Sequence, residues 1–405
     1  HPPRPPPPPH TPPHPPPPTP PPTHPPRAAP VMSSRSKNVI GKASPHTIKK
    51  FELIEEYIKS WAQKLMLNDS CNGLIFIDCM CNSGIYIDEA GELVKGTAVR
   101  VSEALLEVAR TYPDKTVHIY LNDKDTKRVD ELEKHLPHNE RNYEIVTSKY
   151  DAHELLEIIG PQLYQKRHLH YFLFYDPYDA SIVWETLLPF FRNWGEVLIN
   201  HMVSDPVRAI KSAKSKAAKA KYENTYLEDF EKLVPFGSNK IAYEARVEEI
   251  IALMHGNRNY YVAAFPFYNK NNSHMYNLIH CTSHKEGFKL YKKSAWKVFG
   301  GQSSTKHSFE NRQLNFDFND VTTLDTDISC FHVSDIAKYL QNHFKGRKFV
   351  PLAELWELLD EHPIFPSEGY RTDIKKELVS GYSAKIEQSL RPETNKKEYV
   401  ISFSR

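Results

Sequence analysis

The segment Leu74-Ile75-Phe76-Ile77-Asp78-Cys79-Met80-Cys81-Asn82-Ser83-Gly84-Ile85-Tyr86 constrains the fold of this chain more than any other stretch. An apolar run ends on a carboxylate, a short loop with a glycine follows, and a helical pattern begins soon after. The first strand of a doubly wound α/β domain delivers a nucleotide-like ligand to the carboxyl edge of its sheet in this way. The backbone of such a loop must approach the ligand closely, which calls for small residues. An ordinary βα turn is the alternative, because these loops usually carry two or three glycines and this one has Gly84 alone.

The rest of the chain tests that reading. Thr47 to Leu67 sets Phe51, Ile54, Tyr57, Ile58, Trp61 and Leu65 at helical spacing ahead of the first strand. Six more strands are predicted: Val117–Asn122, Tyr143–Thr147, Leu169–Asp176, Glu196–Asn200, Tyr260–Phe265 and Met275–Cys281. Helical patterns over Thr97–Thr111, Thr126–Leu136, His153–Ile159 and Ile182–Phe191 separate the first several, which implies parallel pairing and right-handed crossovers. Only Pro266 to His274 separates the last two strands. That is too short for a crossover helix, so they should pair antiparallel as a hairpin. A Rossmann-like seven-stranded α/β sheet ending in such a hairpin resembles the class I S-adenosylmethionine-dependent methyltransferases. An NAD-type oxidoreductase fits poorly, since the glycine fingerprint is absent and the terminal hairpin is wrong for it.

At 405 residues the chain has room for two or three domains. Residues 1–31 are nearly all Pro with a few His, Thr and Arg, a composition that forms polyproline II, buries nothing and predicts a disordered extension. Met32 follows directly and is the expected true start. A methyltransferase-like domain is expected over 32–310, with a helical insertion at about 205–255, and a winged helix over 325–405. No apolar run reaches the roughly 18 residues of a membrane span, and no signal peptide pattern is present. The five cysteines, an odd count without a secretion signal, point to a reducing cytoplasm. Cys79 and Cys81 lack a matching Cys or His pair nearby, so buried thiols are expected rather than a metal site. A net charge of +2 gives no global pull toward nucleic acid, and any such pull must be local.

Two local patches qualify. The insertion carries Arg208, Lys211, Lys214, Lys216, Lys219 and Lys221 among Ala and Ser, a helix that could lie along a phosphate backbone or simply be a solvated face. Near the end, helical patterns at His332–Phe344, Leu352–Asp360 and Arg371–Ser380 precede two strand candidates, Ala384–Leu390 and Glu398–Phe403. Three helices and a hairpin make a winged helix. Its third helix holds Arg371, Lys375 and Lys376, placed to enter a major groove, although winged helices also serve as protein-contact modules.

The chemistry-bearing residues fall at strand ends. Asp78, Asn82 and Gly84 would border the methionine end of the cofactor. After the second strand, Asp123 is expected to accept hydrogen bonds from both ribose hydroxyls, with helix capping as its alternative, and Asp125 is the expected cap of the next helix. Asp151 could meet the adenine amino group or cap a helix. The fourth strand ends in Asp176-Pro177-Tyr178, similar to the Asp/Asn-Pro-Pro-aromatic loop of amino methyltransferases but with one Pro. Asp176 would accept the target N–H bonds and Tyr178 would stack on the base; otherwise Asp176 only ends a strand beside a turn.

On these residues the chain resembles the three-Cys-motif partner proteins. Their motif Asp-x-Phe-Ala-Gly-x-Gly-x-Tyr is matched by Asp78, Met80, Cys81, Asn82, Gly84 and Tyr86, followed by Gly96-Thr97, Asp123-Lys124-Asp125 and Asp176-Pro177-Tyr178. The stretch Met275 to Phe288 and Trp296-Lys297-Val298 also look like the family. The resemblance covers about residues 45–300, and it implies a methyltransferase-like protein with S-adenosylmethionine and a small three-cysteine partner. Asn82 replaces the first motif glycine, and Asn tolerates left-handed backbone better than most residues. The leading expectation is thus a cytoplasmic methyltransferase acting on or with nucleic acid. The alternative is a binding module that keeps the fold without catalysis.

Overall fold

The computed structural model describes residues 39–166, 168–177, 181–202, 215–233, 250–254, 260–268, 274–299, 332–390 and 397–404. Residues 1–31, the boundary expected between 310 and 325, and Arg208, Lys211, Lys214 and Tyr178 lie outside them.

In chain order come β1 (Gly41–Lys42), α1 (Pro45–Met66), β2 (Gly73–Asp78), β3 (Ile85–Ile87), β4 (Leu93–Lys95), α2 (Thr97–Thr111), β5 (Thr116–Asn122), α3 (Thr126–Leu132), β6 (Tyr143–Ser148), α4 (Ala152–Gln165) and β7 (Leu169–Tyr175). A short helix Trp184–Leu187 and a 3-10 turn Leu188–Phe190 lead into β8 (Gly195–Met202). The helices Lys216–Tyr226 and Phe230–Leu233 precede β9 (Tyr261–Tyr268) and β10 (His274–Thr282). The helix Lys285–Phe299 packs back on the sheet.

Seven strands form one sheet in the order β6-β5-β2-β7-β8-β10-β9. β2 pairs parallel with β5 and β7, and β10 runs antiparallel to both β8 and β9. This is the order expected for the methyltransferase type of Rossmann-like fold, with its terminal hairpin. β2 is apolar on both faces because both are covered. Leu74 and Phe76 pack with α1, α2 and the helix Lys285–Phe299, while Ile75 and Ile77 pack with α4 and the helix Lys216–Tyr226. Successive strand residues point to opposite faces, so an uninterrupted apolar strand belongs at the centre of three layers.

α1 starts with Pro45 in its first turn, where a missing N–H costs nothing. It buries Phe51, Ile54, Tyr57, Ile58 and Trp61. The Tyr57 hydroxyl donates to the buried carboxylate of Glu196 on β8, whose Oε2 also lies 2.7 Å from His280 Nε2 on β10. These bonds lock the first helix to the far half of the sheet.

Two expected helices end early. α3 stops at Leu132, four residues before Leu136, and the chain goes on as a tighter turn in which the N–H groups of Lys134 and His135 donate to Glu131 O and Leu132 O three residues back. The expected helix Ile182–Phe191 shrinks to Trp184–Leu187 and a 3-10 turn containing Pro189, which offers no N–H to continue the ladder. A three-stranded sheet, β1-β3-β4, had no counterpart in the sequence reading. Its strands are two or three residues long and carry no period.

The C-terminal part runs helix Val333–Phe344, β11 (Val350–Pro351), helix Leu352–Glu361, helix Arg371–Tyr382, β12 (Lys385–Leu390) and β13 (Lys397–Ser402), with sheet order β11-β13-β12. It shares a core with the seven-stranded body. Trp296 is fully buried, meets the rings of Phe365 and Tyr370, and donates its indole N–H to Ile364 O at 3.0 Å. Lys292, also fully buried, donates to the carbonyls of Leu359, Asp360 and His362 at 2.7 to 3.2 Å.

Candidate functional site

The parallel strands end together at one edge, and three acids stand there: Asp78 on β2, Asp123 after β5 and Asp176 after β7. Asp78 is 1 % exposed and its Oδ1 accepts the Met80 N–H at 3.1 Å. Burial pushes its carboxyl up to about 8; the charges of Asp176 and Asp123 add to the rise, while the Met80 N–H and Lys50 oppose it. Burial, then Asp176 and Asp78, also push the Tyr86 phenol up, which sets this ring beside the acids.

Asn82 adopts left-handed backbone, φ 59°, as its residue type allows. Its N–H donates to Asp123 Oδ2 at 3.1 Å, and Asp123 Oδ1 accepts the Asp125 N–H at 2.9 Å. Asp123 is therefore pinned under the loop and only 2 % exposed. Arg128 on α3 stands 3.7 Å from the same Oδ2. Asp125 caps α3 through Lys127 N–H, as expected. Gly84 has φ +68°, and a Cβ there would come within 2.4 Å of Leu132 and 2.9 Å of Val99. Its missing side chain makes room for protein atoms.

Asp151 is exposed and caps α4 by accepting the His153 N–H at 3.1 Å. That is the ordinary role weighed for it. Cys79 and Cys81 are buried, their thiols pushed up by burial and then by the charge of Asp78. Among the described residues no group of three His, Cys, Asp or Glu side chains could hold a metal, and no helix is long and apolar enough to cross a membrane.

Four side chains at this edge escaped the sequence reading. Asn122 is fully buried and fully used. Its amide donates to Cys79 O and Tyr150 O, and its oxygen accepts from Ser148 Oγ and the Tyr150 N–H, all at 2.8 to 3.1 Å. One side chain thus ties the loops after β2 and β6 to the end of β5. Lys50 on α1 reaches Asp176 Oδ2 at 2.7 Å, and Asn200 at the end of the apolar run in β8 donates to Asp176 Oδ1. Tyr276 on β10 places its ring 5.4 Å from Lys50 Nζ. Pro177 is buried beside them. A signal for Lys50 existed: Lys50, Ile54, Tyr57 and Trp61 fall on one helical face, and a lysine on an apolar face needs a partner.

The class the fold defines is a Rossmann-like α/β protein of the methyltransferase type. No protein-family model matches the chain, and no curated protein does. Among solved structures, a Corynebacterium glutamicum protein is similar at 9% identity over 57% of this chain and 81% of its own, with TM-score 0.29. A candidate caffeoyl-CoA O-methyltransferase from Staphylococcus aureus gives 13%, 55%, 81% and 0.26 for the same quantities. Loganic acid methyltransferase with SAH gives 9%, 64%, 85% and 0.25. Likeness at this level decides nothing about function, and the class rests on strand order and pairing.

Proposed function

We propose that this chain is an S-adenosylmethionine-dependent methyltransferase acting on or with nucleic acid, alongside a small three-cysteine partner, in the cytoplasm. The observation that carries the reading is the gathering of Asp78, Asp123 and Asp176 at the carboxyl edge of a sheet with this strand order. When bound, the cofactor supplies an electrophilic methyl group. Asp78, protonated near neutral pH in the free protein, would ionise as the cationic cofactor arrives. Asp123 accepts two backbone N–H bonds, which leaves about two of its four lone-pair positions for ribose hydroxyls. Asp176 and Pro177, with Tyr178, would face the acceptor, and their contribution is alignment and removal of water.

The nucleic-acid part draws support from cations on two elements. Lys219 lies on the helix Lys216–Tyr226, while Arg371, Lys375 and Lys376 share the helix Arg371–Tyr382. The order helix, strand, helix, helix, hairpin supports reading residues 325–405 as a winged helix. A non-catalytic binding module is the second reading, and the cover over Asp123 favours it.

Titration calorimetry with S-adenosylmethionine tests the choice. Heat of binding is expected, and Asp123→Ala should weaken it at least about tenfold, the loss of one charged hydrogen bond or more. No heat from the unmutated chain refutes the enzyme reading. Retention of RNA or DNA on a filter by that same chain would then support the binding module.

A further inference from the structure

The carboxylate at the end of β7 already has a cation of the chain's own. Lys50 Nζ lies 2.7 Å from Asp176 Oδ2, with the two side chains 9% and 23% exposed. Asn200 holds the other oxygen, and the Tyr276 ring flanks the ammonium at 5.4 Å. Around this pair stand Asp78 and Tyr86, and the His46 imidazole one turn before Lys50, its protonation disfavoured by burial and then by Lys50. A half-buried carboxylate left alone here would attract any cationic ligand. With Lys50 in place its charge is balanced.

We propose that Lys50 is the positioning residue through which the site limits its preference for a sulfonium cofactor over the neutral thioether product. The proposal rests on the S-adenosylmethionine reading above. Methyl transfer breaks the S–CH3 bond, the bonding pair stays on sulfur, and the acceptor that gains the methyl releases a proton to solvent. The positive charge on sulfur is already dispersing in the transition state. An unpaired Asp176 would stabilise the sulfonium ground state more than that transition state, and such binding raises the barrier. Lys50 removes this excess by neutralising the carboxylate before the cofactor arrives.

The test is calorimetry of the full chain with S-adenosylmethionine and with S-adenosylhomocysteine. Lys50→Met should raise the ratio of the two affinities in favour of the sulfonium by about tenfold, the order set by one partly screened charge. Lys50→Arg should restore the original ratio. Asp176→Asn, which leaves the ammonium without its carboxylate, should move the ratio about tenfold the other way, so the proposal stays testable if Lys50→Met folds poorly. Equal weakening of both ligands in Lys50→Met and Asp176→Asn would mean that the pair only supports the fold, and would overturn the proposal while the cofactor reading stands. If the unmutated chain binds neither ligand, both fall together.

Discussion

Asp78 makes the sharpest physical prediction. Its carboxyl is 1 % exposed and held near 8, whereas an unfolded Asp titrates near about 4. The folded chain therefore binds a proton at Asp78 that the unfolded chain releases across that window. Stability from this group is fully present below about pH 4 and is lost as pH rises through 8. The slope is about 1.4 kcal/mol per pH unit, or about 2–3 kcal/mol between about pH 5 and pH 7. Asp78→Asn keeps the shape and the Met80 N–H bond but cannot ionise. Urea denaturation followed by tryptophan fluorescence should show the variant gaining on the parent by that amount over the same interval. Taking the difference between the two proteins cancels the other titrating groups. A difference that stays flat with pH would refute the assignment of a protonated Asp78. The same proton links to ligand binding, because a cation arriving beside Asp78 favours its ionised form. Binding of S-adenosylmethionine at neutral pH should release up to one proton, visible as a dependence of calorimetric heat on buffer ionisation enthalpy.

Asn122→Ala removes four hydrogen bonds and strands carbonyls of two loops; it should cost about 3–5 kcal/mol in urea denaturation. Gly84→Ala combines left-handed backbone with a close approach to Leu132, and should cost about 2–4 kcal/mol with melting lowered accordingly. Lys292, facing Asp360, Lys285, Lys289 and His362, is lowered to about 7 by burial, so the unfolded chain binds the extra proton between there and about pH 10. The parent should gain about 2 kcal/mol over Lys292→Met between about pH 7 and pH 9 in the same assay, and a flat difference would show that the carbonyls of Leu359, Asp360 and His362, which together use all three ammonium N–H bonds, keep the group charged.

The seven-stranded sheet was legible because its signals are local. β2 reads as a buried central strand from four successive apolar residues, Leu74 to Ile77, with no alternation. The nine residues Pro266 to His274 between the last two expected strands rule out a crossover helix on chain length alone. The caps at Asp125 and Asp151 were also legible, since an Asx cap needs only a backbone N–H two residues on. The small sheet β1-β3-β4 was not, because two-residue and three-residue strands have no period to detect. The helix expected over Ile182–Phe191 was illegible for a different reason: its apolar spacing runs past Pro189, whose ring removes the N–H that a helix needs there.

The site shows a deeper asymmetry. Carboxylates at strand ends can be found one at a time, but their state depends on partners distant in sequence. Asp176 meets Lys50 from 126 residues away, and Glu196 meets Tyr57 from 139. Neither partner is flagged by spacing to the acid. Each is flagged by sitting where its own helix should be apolar, since Lys50 and Tyr57 share the face of α1 that carries Ile54 and Trp61. Burying a polar head on that face costs several kcal/mol unless a counter-group waits there. A charged residue on an apolar helical face thus foretells a buried partner without naming it. Gly84 makes the converse point. Its place in a ligand-loop motif suggests a glycine kept for a close approach, and on its Cβ side that approach is made by Leu132 and Val99. Small residues in such loops report a close approach. What approaches, side chain or ligand, is decided by the helix packed behind the loop.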